Sequence, residues 1–261
     1  MTMSDLVCDV SGKRVLLSGA CGLIGTAIAR AFASNGSRLI LVDVPPKDPV
    51  AFSSDIGAGS MGLECDVSDV DAVRELVQKT VDRFGGIDVL INNHHFLAAG
   101  AWGTGAETFP DDAWETIIHV NLTGTFIMCR EVGKVMLEQG QGNIINLAST
   151  YGMVSSNPAL YEDNSLASPI AYSASKGGVI MLTKYLACYW GERGIRVNSL
   201  TPHGVWNHHE KTFEGRFSSM SPLHRMMQPE EIVGPALFLA SESSSYMNGA
   251  NLVVDGGWTA W

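Results

Sequence analysis

No Lys/Arg cluster occurs in this 261-residue sequence, and acidic residues outnumber basic ones 27 to 17, for a formal charge of −10. Nothing in it is built to neutralise a run of phosphates, so a nucleic-acid partner is not expected. The five cysteines, Cys8, Cys21, Cys65, Cys129 and Cys188, contain no C-x-x-C pair. Odd in number and set in apolar runs, they read as buried thiols in a reducing compartment, not as disulfides or a zinc site. No stretch approaches about 18 continuous apolar residues, which argues against a membrane span. The polar N-terminus (1–11) does not resemble a signal peptide. Low-complexity tracts, linkers and internal repeats are missing as well. The expectation is one soluble, cytoplasmic domain over 1–261, with 46% apolar residues to fill its core.

What is present is alternation. Short apolar runs at Arg14–Ser18, Arg38–Val42, Gly62–Asp66, Val89–Asn92, Asn143–Leu147, Arg196–Leu200 and Asn251–Val254 read as strands buried on both faces. Helical patterns at Ile24–Asn35, Val70–Phe84, Asp111–Gln139, Pro169–Glu192 and Pro229–Ala240 separate them. Ser68 is the expected cap of the second, and Ser168-Pro169 the cap and first residue of the fourth. Strict alternation predicts an α/β fold of the doubly wound Rossmann type, a seven-stranded parallel sheet with helices on both faces.

The first strand runs into Ser18-Gly19-Ala20-Cys21-Gly22-Leu23-Ile24-Gly25 and then a helix. Glycines 19, 22 and 25 would let the backbone approach a pyrophosphate, with Leu23 and Ile24 at a helix N-terminus rich in free N–H groups. Asp43 stands 43 − 25 = 18 positions past the last glycine. An acid there accepts from ribose hydroxyls and repels a 2′-phosphate, so NAD(H) is expected over NADP(H). Asp66, followed by Val67, either meets the adenine amino group or serves as an ordinary acid near a helix start.

Tyr172 and Lys176 are spaced i and i+4, on one side of a helix. A nearby ammonium would favour a phenolate and make Tyr172 an acid/base for an alcohol. An amphipathic helix with a surface lysine has the same spacing.

These pieces in this order, with Asn92-Asn93, Asn121 in Val120-Asn121-Leu122-Thr123-Gly124, Ser149, Pro202 and Val254-Asp255-Gly256-Gly257, resemble the short-chain dehydrogenase/reductase superfamily from Ser11 to Trp258. The resemblance implies Tyr172 as acid/base, Lys176 as the residue that lowers its pKa and holds the nicotinamide ribose, and Ser149 as the hydroxyl orienting the reacting group. It further implies that Asn121 holds a relay water, that Asn93 and Pro202 line the cofactor, and that the Val205 backbone meets the carboxamide.

Several departures mark this chain. The glycine spacing G-x-x-G-x-x-G is more usual in a longer branch of that family. His94-His95 replaces a small pair, and at least one imidazole is expected in the cleft; outward-pointing side chains are the alternative. His203 replaces a glycine, and His208-His209-Glu210 follows, but no H-E-x-x-H or i, i+4 His pair is present and no metal is expected. The stretch 205–227, with Trp206, Phe213, Phe217 and several Met residues, reads as a substrate-covering lid or as surface helices. Ser149 and Tyr172 are separated by 172 − 149 = 23 positions, longer than the family's usual spacing. The extra segment, about 153–168, carries Tyr161, Glu162, Asp163 and Asn164, groups suited to a polyhydroxylated substrate; a solvated loop is the alternative.

Substrate candidates are therefore His94, His95, Tyr161, His203 and Trp206. The expected activity is hydride transfer at a secondary alcohol or ketone of a sugar, sugar acid or polyol. A 3-oxoacyl reductase and an idle NAD-binding scaffold are the alternatives. The long helices and the terminal Trp258-Thr259-Ala260-Trp261 predict a homotetramer, or else a dimer.

Overall fold

The computed structural model describes residues 8–57, 59–98, 105–162 and 168–261. Seven parallel strands form one sheet: β1 (Arg14–Ser18), β2 (Arg38–Asp43), β3 (Met61–Glu64), β4 (Val89–Asn92), β5 (Gly142–Leu147), β6 (Ile195–Pro202) and β7 (Asn251–Val254). Their order is β3-β2-β1-β4-β5-β6-β7. The order reverses between β1 and β4, where open sheets of this kind form a crevice beyond the strand ends. Ser18 pairs with Val42 and Asn92, and Asn92 with Asn146, so these strands finish level at one edge.

The strands alternate strictly in the direction their side chains take. Leu16, Ile40, Leu90 and Ile144 join a buried layer with helices α3 (Val70–Phe84), α5 (Gly124–Gln139) and α6 (Ile170–Trp190). Val15, Leu17, Leu41, Ile91 and Ile145 join a second layer with α1 (Leu23–Ser34) and α8 (Val233–Ala240). The continuous apolar runs of the sequence are thus two interleaved half-patterns, one for each face.

Four expectations are corrected. A helix not expected, α2 (Pro49–Ile56), forms after the proline pair; Asp48 caps it by accepting from the Ala51 N–H at 2.8 Å, and Pro49 occupies its first position. The cap of α3 is Asp69, not Ser68, because its Oδ1 accepts from the N–H groups of Asp71 and Ala72. The fourth predicted helix begins at Ile170, with Pro169 as its cap. The expected helix 111–139 is two helices, α4 (Asp111–Ile118) and α5, joined through a π-helical turn at His119–Thr123. Such turns shift the register of the side chains that follow.

Helix α2 lies so close to β3 that a Cβ on Gly62 would sit 1.9 Å from the Pro49 carbonyl oxygen. Gly62→Ala is expected to push α2 off the sheet and destabilise the protein by roughly 1–3 kcal/mol, as overpacking does. Chemical denaturation followed by circular dichroism checks it, and an unchanged midpoint counts against so tight a contact.

Candidate active site

A cleft of about 900 Å³ opens beyond the C-terminal ends of the central strands. At its β1–β2 side the glycine turn sits as the sequence predicts. Gly19 has a φ of 63°, and a Cβ on it would lie 2.9 Å from the Asn93 carbonyl oxygen. A Cβ on Gly25 would lie 2.1 Å from the Gly19 carbonyl oxygen, so the turn closes only with glycine there. Asn93 Nδ2 donates to that same carbonyl at 2.8 Å, tying the turn to the end of β4. No side chain caps α1 and its first turn holds no acid, which leaves the N–H groups of its first turn available to an anion. The Asp43 carboxylate closes this side, accepting from the Cys21 N–H at 2.8 Å and the Val44 N–H at 3.0 Å. Asp66 lines the cleft, but its Oδ1 accepts from the N–H (2.9 Å) and hydroxyl (2.6 Å) of Ser68, the turn-forming role. The uncapped helix, the glycine cradle and Asp43 fit a dinucleotide.

Ser149, Tyr172 and Lys176 meet in the middle of the cleft. Ser149 lies two residues past the end of β5, and Tyr172 and Lys176 face it from the first turns of α6. The Ser149 hydroxyl hydrogen-bonds to Tyr172. The Lys176 ammonium lies 5.8 Å from the Tyr172 ring centre and donates to the Leu147 carbonyl at 2.8 Å. Burial raises the Tyr172 phenol above its ordinary value, and the Ser149 hydrogen bond offsets part of this. Direct depression of that pKa by Lys176 is therefore not the dominant effect here: burial outweighs it, and the ammonium is bonded to a strand carbonyl. Burial in turn lowers Lys176 from 10.5 to about 8.

The substrate candidates separate on inspection. His94 is buried; its Nδ1 lies 2.7 Å from Ser18 Oγ and its Nε2 3.2 Å from Thr125 Oγ1. Both nitrogens are engaged within the protein, and burial brings its pKa down to about 3, so His94 is a neutral wedge between β1 and α5 at the cleft wall. His95 instead is exposed at the cleft wall, edge-on to Tyr172 with ring centres 6.4 Å apart. Crowding by surrounding groups and then the Lys176 charge hold it at about 4, neutral at physiological pH. Asn121 is fully buried in the π-turn, where its Oδ1 accepts from the Phe96 N–H at 2.6 Å and its Nδ2 donates to the Phe96 carbonyl at 3.2 Å. It clamps the histidine loop, and its Nδ2 also reaches Ser175 Oγ on α6 at 3.4 Å.

Tyr161 lines the cleft, its hydroxyl 2.6 Å from that of Tyr151. Asp163 and Asn164 lie outside the described residues. Pro202, His203 and Val205 line the β6 side. Trp206 does not: it packs with Leu160, Phe213, Phe217 and Met226 in a cluster that joins the insertion to α7 (Lys211–Met220). The ends of the expected lid are pinned together, since Met227 N donates to Gly204 O at 2.9 Å and Trp206 N to Met227 O at 2.8 Å. Sequence reasoning passed over Tyr151 and Thr150, although their places directly after Ser149 put them at the same strand end. Among the described residues no group of three His, Cys, Asp or Glu side chains is arranged to hold a metal, and no helix is long and apolar enough to cross a membrane.

The folded pKa of Lys176 lies below its unfolded value, so the unfolded chain binds more protons between about pH 8 and 10.5 and stability rises with pH across that window. Lys176→Met is expected to be more stable than the wild type at pH 7, by up to about 3 kcal/mol, with the gap narrowing towards pH 10. Thermal melts at both pH values check this; a gap that widens with pH would contradict a buried, strained ammonium.

Comparison with known proteins agrees with the geometry. Residues 19–259 match the family model described as Enoyl-(Acyl carrier protein) reductase. The chain is 37% identical over 258 residues to the D-threitol dehydrogenase of Mycolicibacterium smegmatis, covering 96% of this chain and 94% of that protein. It is 35% identical to the galactitol 2-dehydrogenase (L-tagatose-forming) of Cereibacter sphaeroides, covering 97% of each. A short-chain dehydrogenase from Leptospira borgpetersenii solved with bound NAD+ superposes with a TM-score of 0.88 at 30% identity, over 99% of this chain and 97% of that one. A gluconate 5-dehydrogenase from Burkholderia cenocepacia, in complex with NADP and tartrate, gives 0.85 at 29%, over 97% and 98%. With the glycine turn, Ser149, Tyr172 and Lys176 facing one cleft at the strand ends, the chain belongs to the short-chain dehydrogenase/reductase superfamily.

Proposed function

We propose that the protein is an NAD(H)-dependent oxidoreductase that interconverts a secondary alcohol and a ketone on a sugar, sugar acid or polyol. The observation that carries this reading is the meeting of Ser149, Tyr172 and Lys176 in a cleft with a dinucleotide cradle on one side and a hydroxyl-rich wall, Tyr151 and Tyr161, on the other. The relatives named for threitol and galactitol support the substrate class.

Gly19, Gly22, the first turn of α1, Asp43, Val67, Asn93 and Val205 would hold the dinucleotide, and Asp43 favours NAD(H) by repelling a 2′-phosphate. When bound, the nicotinamide supplies or accepts the hydride. Tyr172 takes the hydroxyl proton in oxidation and returns it in reduction, while Ser149 orients the reacting oxygen. Lys176 holds positive charge beside the phenol and holds the nicotinamide ribose, and Asn121 steadies the loop that carries His95, with a relay water near Lys176. His95 borders the reacting group, and the α7 segment covers it. Exposed Phe126 on α5 and Met181, Tyr185 and Tyr189 on α6, with Trp261, support assembly through those helices into a homotetramer. A monomeric mass in light scattering would overturn the assembly. Free thiols and an acidic surface fit the cytoplasm.

A panel of polyols, sugars, sugar acids and 3-oxoacyl thioesters, run with NAD(H) and NADP(H), tests the reading. Polyols or sugars with NAD+ are expected to turn over, and Tyr172→Phe to lose at least about a hundred-fold in kcat, the scale of general acid–base catalysis. Oxidation, which releases a proton, should speed up and reduction slow down as pH rises from neutral towards about 8, and oxidation should fall again above that as Lys176 loses its charge. Preference for acyl thioesters, or cofactor binding without turnover, would replace this reading with one of its rivals.

A further inference from the structure

His203 stands where the family resemblance implies glycine, and it is 7% exposed. Its ring is boxed by Tyr151, Phe217 and Trp258, with centres 5.2, 5.1 and 4.4 Å away. Nδ1 makes a short hydrogen bond with the hydroxyl of Thr150, which is itself fully buried. Nε2 is buried and has no hydrogen-bond partner among the described residues, yet the side chain lines the cleft. A buried, unsatisfied polar atom costs about 1–3 kcal/mol, so its presence at a cleft wall calls for a ligand.

The location specifies which part of a ligand. Thr150 follows Ser149 at the end of β5 and His203 follows Pro202 at the end of β6, adjacent strands in the sheet. The glycine turn lies across the cleft at β1. A group that meets His203 is therefore on the side of the reacting centre away from the dinucleotide cradle.

The chemistry specifies what kind of group. Burial keeps the imidazole neutral, at about 4. A threonine hydroxyl either donates to or accepts from Nδ1, so either tautomer is open and Nε2 is a donor or an acceptor in turn. A ligand hydroxyl, itself both donor and acceptor, satisfies Nε2 in both cases. An ammonium suits one tautomer alone, and the charge of nearby Asp255, which acts on His203, disfavours a carboxylate. The aromatic faces of Tyr151, Phe217 and Trp258 suit the C–H faces of a sugar or polyol chain. We propose that Thr150 and His203 form a hydroxyl-reading subsite for the part of the substrate remote from the reacting carbon, which makes the enzyme select substrates with a further hydroxyl there. This rests on the alcohol-oxidising reading of the cleft and deepens it.

The test compares threitol with 2,3-butanediol, which keeps the secondary alcohols and lacks the terminal hydroxyls, using NAD+ and the wild type, His203→Phe, His203→Asn and Thr150→Val. Melting curves check that each variant folds. The wild type should favour threitol in kcat/KM by about ten-fold or more, the loss expected when a buried hydrogen-bonding group goes unmatched. In His203→Phe that ratio should fall by about ten-fold through KM for threitol, with His203→Asn recovering part of it and Thr150→Val intermediate. A ratio unmoved in a folded His203→Phe overturns the subsite and leaves the alcohol-oxidising reading standing. Absence of turnover on any hydroxy compound by the wild type overturns both.

Discussion

The ammonium of Lys176 is the constraint around which the site is arranged. Taking a charge out of water is costly unless a partner meets it, and here the Leu147 carbonyl at the end of β5 does. For that bond to form, α6 must press against the strand ends. The chain allows this with small residues: a Cβ on Gly152 would lie 2.6 Å from the Lys176 carbonyl carbon, and one on Gly178 would lie 2.7 Å from the Leu122 side chain. The glycines beside the lysine are thus part of the reason that Tyr172 reaches Ser149.

Beneath this contact runs a buried polar chain. Asn92 Nδ2 donates to Asn146 Oδ1 at 2.9 Å and contacts the Cys129 sulfur at 3.3 Å, and Asn146 Nδ2 donates to Thr183 Oγ1 at 2.9 Å. The chain joins β4, β5, α5 and α6 with directional bonds where apolar packing alone would permit sliding. His94 extends the same device to β1 through Ser18. The His94 imidazole is accommodated by pairing both of its nitrogens inside the protein.

Much of the architecture was legible because strands buried on both faces and helices with one apolar side leave different periods in a sequence. All seven strands were placed within about two residues. The short α2 was missed because its Ser-rich, Asp-containing sequence carries little periodicity and its reason to exist is the groove over Gly62. The π-turn was invisible for a related cause: one extra residue in a turn leaves composition and spacing almost unaltered. At the site, Gly19, Asp43, Ser149, Tyr172 and Lys176 could be found because their spacing is local to strand ends and helix turns. The fates of His94, Asn121 and Trp206 depended on partners far along the chain, namely Ser18, Phe96 and the aromatic cluster, and local reading has no access to those.

The two faces of the sheet have separate buried layers, and the site draws on both. The dinucleotide cradle hangs from α1 and its layer, while Tyr172 and Lys176 hang from α6 and the other. Substitutions confined to different faces, far apart and sharing no partner, combine nearly additively. Drift in one layer can therefore alter how a dinucleotide is held without disturbing the acid–base geometry, and drift in the other can do the reverse. The sheet works as a partition between two heritable traits, cofactor preference and alcohol chemistry, so that a lineage built on this frame can change either one a few residues at a time.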